Sequence, residues 1–341
     1  MQRTLRVALL MGVASAAQAQ SSVVISGYMD LGFYKPAGTH HTRIDSVNAN
    51  NGLKFSGTED LGNGLKAHFV LENKFSPENG GMDGSNHGRP FFQGESTVGL
   101  SGGWGAVRLG RAVTPAGLLL SLADPWRNTR LGSASIAAGY AANGGPVYFG
   151  GVYGGVVGAD KRDFAGLART DGVFYNSPNM SGFTVFTAFG LKNTNSGGAP
   201  YEGKSNLMGL GISYTGPKLG ITTVLEKNRD KGGVKALFAS YDFGFVRAKL
   251  GTGQYKNAEG SDAFRSSVIS ASFPVTAIIT LHTVYGVEKN KQTNLKTMNR
   301  FGLGADYVLS KRTSLFFTAS NDRAVAKGSK NAWDLGIKHR F

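Results

Sequence analysis

The chain has 341 residues, a formal net charge of +15, 11% aromatic residues and no cysteine. The lack of cysteine excludes disulfides, thiolate metal sites and thiol nucleophiles, and beyond residue 19 no apolar run reaches the roughly 18 residues that a membrane-spanning helix needs. The basic residues are dispersed and accompany no zinc-finger, helix-turn-helix or RNA-binding signature, so the charge does not indicate a nucleic-acid partner.

Residues 1–19 have the features of a secretory signal peptide. Arg3 and Arg6 precede a short apolar stretch, Val7 to Val13, and Ala17-Gln18-Ala19 is a small-residue cleavage site. We therefore expect the first 19 residues to be removed on export, which leaves a domain spanning 20–341. Loss of the two arginines would lower the formal charge from +15 to +13.

Apolar and polar residues alternate with a period of two from Val23 onwards. Between Val23 and Phe33 the odd positions are apolar or glycine and the even positions are mostly polar, so one face of a strand would meet water. A later segment repeats this pattern with Lys66, His68 and Glu72 on its polar face. We predict sixteen strands in chain order, at 22–34, 50–57, 63–75, 93–101, 104–112, 169–177, 181–191, 206–215, 219–227, 233–242, 245–254, 264–273, 277–287, 299–308, 312–320 and 332–341.

The connections between these strands differ in length in a regular way. Many are tight turns, such as Asn63-Gly64 and Gly216-Pro217, whereas others are long polar stretches, such as 35–49 and 76–92. Short and long connections largely alternate, which is typical of an outer-membrane barrel with tight periplasmic turns and long external loops. The connection 113–168 is too long for an ordinary hairpin, and such connections are usually functional.

A soluble β-sandwich is the alternative to a membrane barrel, because its strands also alternate. The barrel is favoured because the segments average about 10 residues, enough to cross a bilayer when tilted, and because their apolar faces carry hardly any charge. Aromatic residues such as Phe33 and Tyr214 also lie near strand ends. We therefore predict an all-β fold, a 16-stranded antiparallel transmembrane β-barrel. Its aqueous lumen would be narrowed if the third external loop, 113–168, folded inward.

Four stretches of the chain carry distinctive motifs: FSGTEDLGNGLKA at 55–67, VGL to VRLGR at 98–111, YNSP with a following GF at 175–183, and YVLSKRT at 307–313 with the ending GIKHRF at 336–341. These stretches resemble the general porins of β-proteobacteria. With the signal peptide and first strand, the likeness extends over the whole chain in order. The resemblance implies an outer-membrane homotrimer, inserted into lipid by the barrel-insertion machinery, with a third loop that folds into the lumen and forms a constriction.

The resemblance also implies which residues face this constriction. In the family, basic residues on the wall oppose the loop and create a transverse field, and the alignment places Arg111 among them. Alternation independently points Lys54, Lys66 and Arg108 inward. For the acidic side, Asp124 is the nearest match to the Asp-Pro-aromatic element of the family's loop. Ordinary lumen polarity with local ion pairs remains the alternative for all four cations.

Two positions depart from the family's pattern. Relatives usually carry inward arginines where this alignment has Gly52 and Gly94, so the wall is less basic than the resemblance implies. The lipid-facing strand faces are nearly uncharged, and the positive charge must therefore lie on the lumen wall and the loops. We expect a channel that prefers anions.

The C-terminal residue, Phe341, follows the alternating Trp333 and Ile337 and resembles the assembly signal of outer-membrane barrels. The six histidines lack the spacing of zinc sites. Glycine-rich runs such as Gly150-Gly151 lack the Lys-Ser/Thr that completes a phosphate cradle. We expect no metal, no cofactor and no catalytic residue.

The expected function is that of an outer-membrane porin, a water-filled channel for passive diffusion of ions and small hydrophilic solutes. A substrate-specific porin for small organic acids or sugars is the closest alternative, because the matched positions hold few arginines and the long loop is rich in aromatics. A barrel phospholipase or protease would need a nucleophile, a histidine and an orienting group near one rim, and no motif marks them. A soluble sugar-binding sandwich is the third alternative.

Overall fold

The computed structural model describes residues 22–46, 51–81, 91–127, 129–134, 169–191, 206–228, 233–256, 263–324 and 328–341. They form one antiparallel sheet and one short helix, α1 (Pro115–Leu119). No helix in this part of the chain is long and apolar enough to cross a membrane. The strands are β1 (Ser22–Lys35), β2 (Arg43–Asp45), β3 (Gly52–Gly62), β4 (Leu65–Lys74), β5 (Glu95–Gly102), β6 (Gly105–Val113), β7 (Arg169–Asn176), β8 (Phe183–Gly190), β9 (Leu207–Thr215), β10 (Leu219–Asn228), β11 (Gly233–Asp242), β12 (Arg247–Lys256), β13 (Ala263–Pro274), β14 (Ile279–Asn290), β15 (Lys296–Val308), β16 (Thr313–Asp322) and β17 (Asn331–Arg340).

The sheet closes on itself through β1. On one side, Tyr28–Lys35 of β1 pairs with β17. On the other side, Ser22–Tyr28 pairs with β3 and Gly32–Tyr34 pairs with β2. The short β2 and the long β3 therefore share one position in the wall, and the ring has sixteen positions. The predicted sixteen-stranded antiparallel barrel is confirmed, with β2 ending at Asp45 and β3 beginning at Gly52 in the second position.

The outer face of the barrel is apolar and the inner face is polar. In β1, Val23 and Ile25 are 64% and 61% exposed, whereas Asp30 and Tyr34, at alternate positions, are 1% and 2% exposed. Cross-strand partners lie on the same face of a sheet, so the register carries this division around the ring. An exposed apolar face of this extent is stable against lipid rather than water.

The two ends of the barrel differ in their connections. At the end that holds Ser22 and Phe341, short turns join neighbouring strands, and Asn63 and Gly64 have the positive φ angles, 51° and 76°, that a tight hairpin requires. At the opposite end β4 and β6 are each followed by a long connection. The direction of every strand relative to the two ends of the barrel follows from this arrangement, and the loop after β6 lies at the long-loop end.

The connection after β6 runs along the inside of the barrel in its described part. Residues 114–134, apart from 128, make hydrogen bonds to inward-facing side chains of β1, β10, β12, β13, β15, β16 and β17. These residues form the first part of the predicted loop 113–168. The remainder, 135–168, lies outside the described residues, as does the predicted signal peptide, 1–19.

Candidate functional site

Three of the four cations predicted to line the channel lie on the inner face of the wall. Arg108, for example, directly precedes Leu109, whose side chain faces outward and is 52% exposed. Lys66 is the second residue of β4 and Arg108 the fourth of β6, counted from the short-turn end, whereas Lys54 is the third residue of β3 from the long-loop end. These side chains are therefore distributed along the depth of the lumen.

Acidic side chains pair with part of this basic wall. Nη1 of Arg108 lies 2.6 Å from Oε1 of Glu95, and Nζ of Lys74 lies 2.7 Å from Oε1 of Glu72. Both pairs are partly buried, so each anion offsets the positive charge of its partner locally. The alternative of local ion pairs thus describes Arg108 well.

The other two inward-facing cations of this wall, Lys54 and Lys66, differ from Arg108 in their acidic neighbours. Across the described residues, neither Lys54 nor Lys66 has a carboxylate oxygen within 4 Å of its ammonium group. Lys54 lies opposite Glu72 in the register, but that carboxylate bonds to Lys74. Within the described part of the chain, Lys54 and Lys66 are therefore positive charges of this wall that have no carboxylate partner.

Gly94 leaves space that Glu72 occupies. A Cβ at position 94 would lie 2.7 Å from Oε2 of Glu72, and the Gly94 amide donates to the Glu72 carbonyl at 2.9 Å. Gly52 lies opposite Lys74 in the register. Where the resemblance led us to expect an inward arginine at position 94, this chain therefore has a carboxylate.

Arg111 lies on the outer face of β6, which corrects the expectation that it lines the channel. Its cross-strand partner is Asp171, whose carboxylate is 3.5 Å from Nη1, and its Nε donates to the carbonyl of Gln93 at 3.2 Å. The next residue, Ala112, is fully buried inside the barrel. Arg108 and Arg111 are three positions apart, and residues an odd number apart face opposite sides of a regular strand.

Glu226, on the inner face of β10, holds the start of the long loop. Its Oε1 accepts a hydrogen bond from the Thr114 hydroxyl at 2.9 Å, and its Oε2 accepts one from the Ala116 amide at 3.0 Å. Thr114 also caps α1 by accepting from the Gly117 amide at 3.2 Å. These bonds fix α1 against the wall.

Asp124 is directed into the loop rather than into the lumen. Its Oδ2 accepts from the Trp126 amide and the Ser133 hydroxyl, both at 3.0 Å, and its Oδ1 accepts from the Ala134 amide at 3.1 Å. The side chain is 1% exposed. The predicted acidic residue of the constriction therefore organises the turn between residues 124 and 134.

A buried ion pair attaches the far part of the described loop to the wall. Nη2 of Arg130 lies 2.5 Å from Oδ2 of Asp30, and both side chains are 1% exposed. The guanidinium carbon lies 3.4 Å from the centre of the Phe316 ring. The Leu131 amide donates to Oδ2 of Asp334 at 3.1 Å.

The electrostatic surroundings keep Arg130 charged. Burial by itself would lower the pKa of Arg130, but the nearby carboxylates of Asp30 and Asp334 raise it above its ordinary value. The loop is therefore held here by a full positive charge between two acidic side chains, one on β1 and the other on β17.

Apolar packing fills part of the barrel interior behind the loop. Leu119, Leu120 and Trp126 of the loop share one buried cluster with wall residues of β6 to β15, among them Phe174 and Phe238. This side of the interior is packed like the core of a soluble domain. Lys54, Lys66 and Arg108 are not members of this cluster and stand on the inner face of β3, β4 and β6.

Comparison with known proteins agrees with this architecture. The model of one protein family, described as Gram-negative porin, matches residues 7–327. The chain belongs to this family. It is a porin of the outer membrane, a water-filled channel through which ions and small hydrophilic solutes diffuse.

Relatives and solved structures match the porin over most of its length. It is 27% identical to outer membrane porin protein 32 of Delftia acidovorans, with all of both chains covered, and 25% identical to the major outer membrane protein P.IB of Neisseria meningitidis, with 86% and 84% covered. The anion-selective porin from Comamonas acidovorans superposes with a TM-score of 0.71 at 23% identity, covering 94% of this chain and all of that one. The trimer form of OmpT from Vibrio cholerae gives a TM-score of 0.64 at 12% identity, covering 94% and 99%.

The C-terminal residue of the porin lies on its first strand. Phe341 and Gly27 exchange backbone hydrogen bonds of 3.0 and 3.2 Å. The ring of Phe341 is 44% exposed on the outer, lipid-facing side. This is the position of the predicted assembly signal in the folded barrel.

Two histidines of the described ranges, His282 and His339, take part in ordinary hydrogen bonds with hydroxyl groups. Nδ1 of His282 lies 2.9 Å from the Ser272 hydroxyl, and its Nε2 lies 3.5 Å from Oδ2 of Asp306. Within the described ranges, no three or more His, Asp or Glu side chains are grouped so that they could hold a metal ion.

Several residues that hold the loop of the porin in place were not predicted from the sequence. Glu226, Arg130, Asp30 and Asp334 hold the loop, yet none was predicted to do so. Asp30 and Asp334 do occupy the polar side of an alternating pattern, so their inward direction was readable. Their partners were not, because Arg130 lies 100 residues from Asp30 along the chain.

Proposed function

We propose that this porin is an anion-preferring diffusion channel, and that the loop 113–168 forms the constriction opposite the basic wall. The observation that carries the proposal is the pair of unpaired lumen cations, Lys54 and Lys66. Positive charge between low-dielectric walls concentrates anions and excludes cations. The name of the Comamonas acidovorans structure, an anion-selective porin, supports the same preference.

The reversal potential across a planar bilayer tests this proposal. In a potassium chloride gradient the purified protein should give a chloride-selective potential, larger in dilute salt than in 1 M, because the screening length falls from about 10 Å at 0.1 M to about 3 Å at 1 M. Lys54→Glu and Lys66→Glu should each reduce it. Lys311→Glu, in the short turn after β15, is the matched control. A potassium-selective wild type would contradict the proposal.

We also propose the remaining features of its biogenesis and assembly. The mature protein would begin after residue 19, insert by way of a terminal signal at Phe341 that the barrel-insertion machinery reads, and assemble as a homotrimer without any enzymatic activity. The trimeric form of the structurally similar Vibrio cholerae OmpT supports the oligomer. The mass of the detergent-solubilised protein and the N-terminus of the exported chain test these points.

A substrate-specific porin for small organic acids or sugars is the second candidate. The carboxylate of Glu72 beside Gly94 favours it, because an acidic side chain in the wall weakens a simple anion attraction. Flux measured against solute concentration separates the two functions. A general channel gives a linear dependence, whereas a specific binding site saturates.

A further inference from the structure

We infer that Arg127 of the long loop, together with Lys249 of β12, forms a contact site for oxyanions in the lumen. This site lies on the side of the lumen opposite the basic wall of Lys54, Lys66 and Arg108. The inference rests on the proposed anion preference and adds to it the residue and the class of solute. Carboxylates and phosphates are the solutes expected there.

The loop is attached to the wall on both sides of Arg127. Before it, the Ala123 carbonyl accepts from the Ser270 hydroxyl at 2.6 Å, and the Asp124 carbonyl accepts from Nζ of Lys249 at 3.4 Å. Directly before it, Trp126 is buried, with its ring 5.3 Å from the ring of His282. After it, Arg130 is held in the buried ion pair described above. Arg127 itself is exposed, so within the barrel it faces the water of the lumen.

The backbone of Arg127 is unusual for an arginine. Its φ angle is +52°, in the left-handed region that residues other than glycine seldom adopt. The turn is closed by a hydrogen bond from the Arg127 amide to the Asp124 carbonyl at 3.3 Å. A conformation of this kind carries strain that the surrounding contacts must offset, and such residues concentrate at functional sites.

The acidic residue nearest in sequence is turned away from the lumen. The carboxylate of Asp124 is buried and accepts three hydrogen bonds from within the loop. Lys249 lies within electrostatic reach of Asp124, whose carboxylate favours its charged form, and of Arg127, whose guanidinium opposes it. Of the charged side chains described between residues 124 and 130, Arg127 is exposed whereas Asp124 and Arg130 are buried, so the exposed charge of this turn is basic, the opposite of the acidic loop that the resemblance led us to expect.

The position of Lys249 in the ring sets this group across the lumen from the basic wall. β12 is eight positions from β4 in a ring of sixteen, because β2 and β3 share one position, and the two strands are therefore diametrically opposed. Lys249 is the third residue of β12 and Lys66 the second of β4, both counted from the short-turn end. An anion that passes the loop thus meets positive charge from both sides.

The chemistry of the guanidinium group determines the class of solute. Arginine presents a planar set of donors that matches two oxygens of a carboxylate or a phosphate at once, whereas chloride offers no such geometry. Arg127 should therefore slow oxyanions selectively as they pass. Inorganic phosphate is the simplest probe.

Current through single trimers in a planar bilayer tests the inference in the wild type and in Arg127→Gln, Arg127→Glu and Arg127→Lys. Arg312→Gln, in the short turn after β15, removes the same charge outside the lumen and serves as the control. Two quantities are measured, the chloride-to-potassium permeability ratio in dilute salt and the reduction of chloride current by inorganic phosphate.

We expect Arg127→Gln to lower the chloride-to-potassium permeability ratio by about two- to fivefold in dilute salt, because this is the effect of one charge that acts on an ion within about 4 Å in water. Arg127→Glu should lower the ratio further. Arg127→Lys should keep the ratio but lose the phosphate effect, and Arg312→Gln should change neither. A wild type that prefers chloride, with the ratio and the phosphate effect unchanged in Arg127→Gln, would overturn this inference alone. A wild type that prefers potassium would overturn the proposed function. Arg127→Gln would still test the present inference in that case: a further shift of the permeability ratio toward potassium would support the Arg127 site, and an unchanged ratio would overturn it.

Discussion

The ring of Phe341 lies over Gly27, in the space where a side chain at position 27 would stand. The same two residues exchange backbone hydrogen bonds, so the last residue of the chain is paired with the first strand both through its backbone and through its ring. A terminal aromatic residue that served recognition alone would not need a glycine beneath it. The fit indicates that Phe341 also stabilises the closed barrel.

Replacing either partner should affect closure through the same contact. Gly27→Ala displaces the ring and Phe341→Ala removes it, so both should lower the temperature at which the barrel unfolds in detergent. In the double variant the effects should fall short of their sum, by a coupling free energy of about 0.5–3 kcal/mol. Ile25→Val, on the same outer face, is the control. Strict additivity would show that the two residues act independently.

The opposite directions of Arg108 and Arg111 are testable by cysteine labelling, because the chain has no cysteine of its own. A charged, membrane-impermeant thiol reagent should reduce the single-channel current of Arg108→Cys, since the added group enters the lumen. It should leave the current of Arg111→Cys unchanged. A reduced current in both variants would show that Arg111 also faces the lumen.

Removal of Arg130 should release the loop from the wall. Arg130→Met leaves the buried Asp30 without its partner, and breaking a buried ion pair costs about 3–5 kcal/mol. We expect a lower unfolding temperature and a noisier open-channel current. Arg43→Met breaks the exposed pair with Asp45, for which about 0–1 kcal/mol is expected. Equal effects of the two variants would contradict the anchoring role of Arg130.

Asp124 should affect the stability of the loop more than ion selectivity. Asp124→Ala leaves two buried backbone amides and one hydroxyl without their acceptor, at about 1–3 kcal/mol for each group. The expected result is faster proteolysis of the loop with a nearly constant chloride-to-potassium ratio per open channel. If the ratio rose strongly toward chloride while the loop stayed intact, the carboxylate would be acting on the lumen.

Much of the barrel could be predicted from the sequence because alternation and turn chemistry are local. The strand containing Lys66 and the turn at Asn63-Gly64 are examples, since each depends on a few neighbouring residues. The short strand β2 was not predicted, because its pairing with β1 decides it and no local pattern of the sequence marks it. The inward assignment of Arg111 came from resemblance, and alternation from Arg108 already argued against it.

The candidate site was less predictable for a physical reason. Asp124 carries the charge of a lumen residue, but its hydrogen bonds to Ser133 and Ala134 turn it into the loop. Arg127 was not predicted to be a site residue, because its exposure follows from the burial of Trp126 against the wall. Side chains on a loop have no alternation to assign them a face, so contacts distant in sequence determine their direction.

The contacts of residues 130 and 131 have a consequence for the strength of barrel closure. Arg130 bonds to β1 and Leu131 to β17, the two strands whose pairing closes the ring. A segment from the middle of the chain thus ties its beginning to its end from within. The junction cannot part sideways toward lipid without extracting a buried charge. Docking of the loop and pairing of β1 with β17 therefore stabilise each other, and a barrel whose loop has not docked has a weaker seam between its first and last strands.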